Sequence, residues 1–258
     1  MYQSEEIIEF KTPPKVGLTR IPRGYFFKGG AAREVLRRIL RPNQPRLLVR
    51  DIDVIRFVET DDSLDHKVAL ELMPDDYEFG RGVEVVTGED EYFLTRDLTV
   101  NEIYCNHSVI RATSKAVHDL KNGTLRPTPY VTSINGEVDC ATALKILRFA
   151  AECLVKGVNC TIVNLPALPK ANPFYIALNL DRSFAISKEV GEEYLILAWQ
   201  FQAIFAEEPC APPLEVVVKY LVERIPQGIR IFRNLDEATL RKIASEVDPD
   251  RWNKIREK

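Results

Sequence analysis

Two glycines, Gly29-Gly30, stand between a run that reads as a strand, Arg23 to Phe27, and a run with helical apolar spacing, Ala31-Ala32-Arg33-Glu34-Val35-Leu36-Arg37-Arg38-Ile39-Leu40. Arg41-Pro42-Asn43-Gln44-Pro45 breaks that helix, and Arg46 to Val58 returns as a strand carrying Asp51-Ile52-Asp53. Glycine lets backbone approach a ligand closely, and a helix start presents free N–H groups to an anion. Alternate strand residues share a face, so the two carboxylates converge on one spot. Paired acids repel unless a cation lies between them, and hard oxygen ligands suit Mg²⁺ or Mn²⁺. From the residues alone the pair is either a metal site for phosphate chemistry or two acids at a solvated strand end.

Charge is unevenly distributed along a chain whose net formal charge is only -3. Lys11, Lys15, Arg20, Arg23, Lys28, Arg33, Arg37, Arg38, Arg41, Arg46 and Arg50 face a single acid, Glu34. Beyond Asp51 the balance inverts through Asp61, Asp62, Asp65, Asp75, Asp76, Glu89, Asp90 and Glu91. A basic block beside an acid pair suits a polyanionic substrate; its plain alternative is a solvated basic helix face.

Other chemistries find little support. The five cysteines form no Cys-x-x-Cys pair and the three histidines do not cluster with them, which argues against zinc and against a disulfide framework. Apolar runs such as Tyr194 to Trp199 are too short to span a membrane, and Met1 to Lys15 is too polar for a signal peptide. A soluble, cytoplasmic protein is expected.

The chain has 258 residues, comfortable for two domains, with the boundary expected near residue 135. In the first, Glu59 to Asp65 reads as an acidic loop, Lys67 to Met73 as a short helix or strand, and Gly82 to Val86 as a strand bearing Glu84 between apolar neighbours. Asp97 is placed to cap a helical stretch, and Ala116 to Pro129 reads as a loop. From Ala141 the pattern turns helical, with Leu144, Leu147, Phe149, Ala151 and Leu154 as the apolar stripe and Lys145, Arg148 and Glu152 around it. Further helices are expected at about Lys188 to Ala206, Leu214 to Arg224 and Asp236 to Val247. Phe174, Tyr175, Trp199 and Phe201 read as core aromatics in preference to base-stacking groups.

Five blocks, taken in order, resemble the tRNA nucleotidyltransferase (CCA-adding) and bacterial poly(A) polymerase family of the polymerase-β-like superfamily. Phe27 to Leu36 is similar to its glycine-pair block, Arg50 to Val54 to its acid pair, and Thr95-Arg96-Asp97-Leu98-Thr99-Val100-Asn101 to its next block. Asp119 to Arg126 resembles the stretch closing the head, and Ala143 to Ala151 the first neck helix. The resemblance covers roughly residues 22 to 155. It implies an α+β fold: a polymerase-β-like head of mixed sheet with flanking helices, followed by an all-helical region.

The implied activity is transfer of a nucleotidyl group from ATP or CTP to an acceptor hydroxyl, with an RNA 3′ end, tRNA first, as the acceptor. The resemblance assigns Mg²⁺ or Mn²⁺ to Asp51 and Asp53. It gives the triphosphate to backbone at Gly29 and Gly30 and to Arg33, ribose to Asp97, and triphosphate or ribose contacts to Arg96 and Asn101. Glu84 is a candidate third acid from its strand position alone.

Departures bear on the substrate. Where the family reads the base with Glu-Asp-x-x-Arg, this chain has Val138, Asp139 and Thr142. Loss of the arginine fork removes about 1 to 3 kcal/mol of base discrimination. Lys145 and Arg148 still match the family's following positive positions. The link from Gly30 to Asp51 is long, Glu59 to Glu78 is an acidic insertion, and the chain after about residue 160 resembles neither the family's body nor its tail. Two alternatives stay open: transfer to a protein or small-molecule hydroxyl, and a nucleotide-binding regulator without catalysis.

Overall fold

The computed structural model describes residues 6–13, 20–47, 49, 52–73, 82–169 and 171–224. Asp51, Arg50 and the expected helix Asp236 to Val247 lie outside the described residues. Two compact units divide between Val131 and Thr132.

The first unit is α+β. Its strands are β1 (Ile7–Lys11), β2 (Tyr25–Lys28), β3 (Asp53–Phe57), β4 (Glu84–Val86), β5 (Ile103–Cys105) and β6 (Val109–Thr113), in the sheet order β1-β6-β5-β2-β3-β4. Only β3 and β4 run parallel; the other pairs are antiparallel, so the sheet is mixed as expected. β1 was not anticipated, although Ile7, Ile8 and Phe10 carry strand-forming character.

Helices α1 (Gly29–Leu40), α2 (Asp65–Leu72), α3 (Glu89–Leu94) and α4 (Ser114–Asn122) flank the sheet. α1 begins on the glycine pair itself and packs on β2, β3 and β5 through buried Ala31, Ala32, Val35 and Leu36. On the other face Tyr92 and Phe93 of α3 join Ile55, Val86 and Tyr104, with Phe26 and Phe57 packed alongside. Edge-to-face ring contacts such as Phe26–Tyr104, at 4.9 Å between centroids, fill that layer. The hydroxyl of Tyr92 donates to the Ile103 carbonyl at 2.7 Å, satisfying its one polar atom there.

Three expectations in this unit need correction. α4 occupies part of what read as a loop: Thr113 caps its start by accepting from the Ala116 N–H, and left-handed Gly123 ends it. The stretch after Asp97 is one 3₁₀ turn, Thr99–Asn101. The strand expected from Arg46 is described only from Asp53.

Among the described residues of the second unit, the regular structure is helical apart from a two-residue extended segment, Thr161–Ile162. α5 (Cys140–Val155), α6 (Pro173–Phe184) and α7 (Lys188–Gln200) pack on one another, and α8 (Leu214–Arg224) packs on α6. α6 was not anticipated; its signal is Asn172, whose side chain accepts from Phe174 N–H, followed by Pro173 in the first turn. α5 buries Ala143, Leu144, Ile146, Leu147, Ala150 and Ala151. Its polar flank is also corrected. Arg148 and Glu152 are buried, Arg148 donating to Asn179 at 3.2 Å and Glu152 accepting from Lys156 at 2.6 Å, whereas Leu154 is exposed.

Asp119 ties α4 to the segments around Thr99 and Arg126. Only 2% exposed, it accepts from Thr99 at 2.6 Å and from the Arg126 guanidinium at 3.0 Å, joining α4 to the Thr99 turn. Burial works to raise its pKa, but the bonds from Arg126, Thr99 and His118 outweigh this and hold it below its ordinary value. Its stabilising contribution is therefore full above the ordinary value of 3.8 and is lost as pH falls below that through the lowered folded value. Asp119→Asn is expected to cost about 1 to 3 kcal/mol at pH 7 and to flatten this part of the acid limb, read by urea unfolding at several pH values.

Candidate functional site

The pairing of β2 with β3 sets the site. Lys28 lies opposite Asp53 and Phe26 opposite Ile55, while in the parallel pair Glu84 lies opposite Ile55. Partners across a ladder share a face, so Lys28, Asp53 and Glu84 all stand on the aromatic side of the sheet, at the end where β2 passes into α1.

Gly29 makes that passage. Its φ of +56° is a left-handed conformation, and a Cβ there would lie 2.6 Å from Asp53 Oδ2. The left-handed backbone makes a side chain costly here, and the Asp53 carboxylate would have to shift to admit one. Gly30 differs: a Cβ there would meet nothing nearer than Arg33 Nη2, at 3.9 Å. The fold itself does not require glycine at position 30. Lys28 provides no side-chain cap to α1, and no acid occupies its first turn.

Arg33 leaves the first turns of α1 to donate to Asn101 Oδ1 at 2.6 Å, and Asn101 Nδ2 donates to Asp97 Oδ1 at 2.8 Å. The same Asp97 oxygen accepts from the Leu98 N–H at 2.9 Å. Three residues taken from two separate sequence blocks thus form one hydrogen-bonded line. Arg96 points elsewhere: its Nη2 donates to Glu84 Oε1 at 2.7 Å, its Nε to the Tyr92 carbonyl at 2.8 Å, and its guanidinium carbon lies 4.3 Å from the Tyr92 ring centre.

Glu84 is accordingly held from both sides, since Lys28 Nζ pairs with its other oxygen. Burial works to raise its pKa, but the bonds from Arg96 and Lys28 win and keep it below the ordinary carboxylate range. Both oxygens of the candidate third acid are spoken for by cations, which is a poor fit to a metal ligand. Among the described residues no three His, Cys, Asp or Glu side chains gather as a metal site. Asp51, half of the expected pair, lies outside the described residues.

The basic block is partly consumed within the fold. Arg37, only 3% exposed, donates to Glu34 at 2.7 Å, and Arg38 reaches the same carboxylate at 3.2 Å. Arg33 is bound to Asn101 as described.

The remaining candidates belong to the second unit. Asp139 caps α5, its Oδ2 accepting from the Thr142 N–H at 3.0 Å, and Thr142 is buried. Lys145 Nζ lies 5.7 Å from the Phe149 ring centre. Arg148 lies over the same ring at 4.6 Å, buried with Asn179.

Sequence reasoning counted Lys28 in the basic block without placing it at the site, and did not name Tyr92. For Lys28 a signal existed, because strand alternation from the end of β2 places it on the same face as Asp53 once the two strands pair.

No family model matches the sequence, and no curated protein matches it. Among solved structures, one described as "The complex structure of CCA-adding enzyme with ATP" is similar with a TM-score of 0.40 and 13% identity, over 90% of this chain and 63% of that one. This chain therefore spans less than two thirds of that protein's length. A likeness at this level fixes neither a fold family nor an activity. Among the described residues no helix is long and apolar enough to cross a membrane.

Gly29→Ala is expected to destabilise the first unit by about 1 to 2 kcal/mol, from the left-handed backbone and the crowding at Asp53, measured as a lowered urea midpoint.

Proposed function

We propose that the chain is a metal-dependent nucleotidyltransferase, moving a nucleotidyl group from a nucleoside triphosphate to an acceptor hydroxyl. The observation that carries this reading is the left-handed Gly29 seated against Asp53, with Arg33, Asn101 and Asp97 linked beside it. This brings the glycine turn, one member of the acid pair and the Arg96-to-Asn101 block to one end of one sheet. Gly30 adds weight, because a glycine that the fold does not need is what close approach by a phosphate would demand.

In the reaction the acceptor oxygen bonds to the α-phosphorus as the bond from that phosphorus to the bridging oxygen breaks. Pyrophosphate departs with the electron pair, and the hydroxyl proton passes to solvent or a nearby base. Asp51 and Asp53 would hold Mg²⁺ or Mn²⁺, which when bound would lower the pKa of the hydroxyl and neutralise charge on the leaving group. In this reading Arg33, which donates to Asn101, takes a phosphate oxygen, and Asp97 a ribose hydroxyl.

An RNA 3′ end is the first acceptor in this reading, with tRNA the first RNA. A second reading, transfer to a protein or small-molecule hydroxyl, is favoured by the Asp139 carboxylate serving as a helix cap where the family reads a base, and by buried Thr142.

Incubation with each labelled triphosphate, Mg²⁺ and total RNA is expected to extend a tRNA-sized band; label entering protein or small metabolites would instead support the second reading. Asp53→Ala is expected to lower transfer on the order of a thousandfold. Gly30→Ala offers a sharper contrast. Its stability should equal or slightly exceed that of the parent, since alanine favours helix, while its triphosphate affinity falls about tenfold or more, measured by calorimetry. Unchanged affinity in that variant would remove the glycine turn from the reading.

A further inference from the structure

The candidate third acid, Glu84, is paired with two cations. Glu84 Oε1 accepts from Arg96 Nη2 at 2.7 Å and Oε2 pairs with Lys28 Nζ. All three side chains are at least two-thirds buried. Arg96 is fixed at a second point as well. Arg96 is bound to the Tyr92 carbonyl and lies over the Tyr92 ring, and Lys28 is the cross-strand partner of Asp53. Two cations this close repel one another, and the carboxylate between them is what permits them to share the face.

We propose that Glu84 is a positioning residue that holds Lys28 and Arg96 as a two-cation clamp for the polyphosphate chain of a nucleotide, and that Lys28 is a phosphate ligand of this chain. The inference rests on the nucleotidyl-transfer reading for its ligand class. Its geometry explains why an acid with both oxygens committed to cations stands at the start of β4. The two cations and the one carboxylate together carry one net positive charge, on the face that also carries the Asp53 carboxylate. A compact ammonium suits a phosphate as a point charge, while the Arg96 guanidinium, with its Nε committed to Tyr92, is fixed in orientation.

The test is calorimetric titration of the full chain with inorganic tripolyphosphate in EDTA, which removes metal from the measurement. Mn²⁺ binding is read separately by electron paramagnetic resonance without nucleotide. Lys28→Met is expected to weaken tripolyphosphate binding about tenfold and Lys28→Arg to restore most of it. Glu84→Gln is expected to weaken it by a similar factor, with a smaller effect in the Lys28→Met background, because it acts through that ammonium. Mn²⁺ binding should be unchanged by Glu84→Gln. Tripolyphosphate binding unaffected by Lys28→Met overturns the proposal, as does a Glu84→Gln variant that keeps tripolyphosphate affinity but loses Mn²⁺ about tenfold. If Glu84→Gln fails to fold, the two Lys28 variants decide the matter alone. A chain that binds tripolyphosphate through Lys28 yet transfers no nucleotide to any acceptor retains this inference and loses the functional reading.

Discussion

The antiparallel ladder between β2 and β3 is the constraint on which the candidate site depends. It sets Lys28 across from Asp53 and leaves the chain one residue, Gly29, in which to turn from strand into helix. That turn requires a positive φ in a space closed by the Asp53 carboxylate, so residue type, backbone conformation and site geometry are a single condition. A slip of one residue in the pairing would move Asp53 and Lys28 to opposite faces. The apolar layer of Ile55, Tyr92 and Tyr104, with Phe26 and Phe57 packed against it, guards against this slip, because the same alternation that presents the charges also turns these side chains into that layer.

Electrostatics within the first unit follow a common pattern: basic side chains are assigned to particular acids before any ligand is considered. Arg37 and Arg38 clasp Glu34, Arg126 and Thr99 hold Asp119, and Arg56 binds Asp65 at 2.8 Å. Tyr25 also donates to Asp65, and burial together with that acid pushes its hydroxyl up to about 12. What reads along the sequence as a basic block next to an acidic insertion is thus partly a set of internal pairs. The basic charge that could meet a polyanion is smaller than the run of arginines implies.

Local chemistry was the legible part of the sequence. Helical spacing from Ala31 and from Ala143 marks α1 and α5, and the glycine pair and the acid at 53 meet at the sheet end. α4 and α6 were missed where turn-type residues, Thr113 and Gly123 or Asn172 and Pro173, are the caps of helices and not signs of loop. Arg148 and Glu152 show a different limit. Periodicity sorts residues by polarity, whereas a buried arginine is decided by a partner such as Asn179 that lies 31 positions away. Glu84 belongs to the same class: its place on a strand could be read, but Lys28 and Arg96 as its partners arise from the sheet order.

That order has a consequence for how the first unit comes into being. β1 finds its partner in β6, with Ile7 paired to Thr113, so this strand, made before β2 to β6, is among the last of the described strands to be satisfied. β2, α1, β3 and β4 can associate meanwhile, while Ile7 to Lys11 waits through most of the unit's synthesis. Long-range closure of this kind slows folding and leaves an apolar segment unpaired in the interval. The nascent chain therefore spends that interval with its site-forming strands already able to meet and its outermost strand still seeking a neighbour.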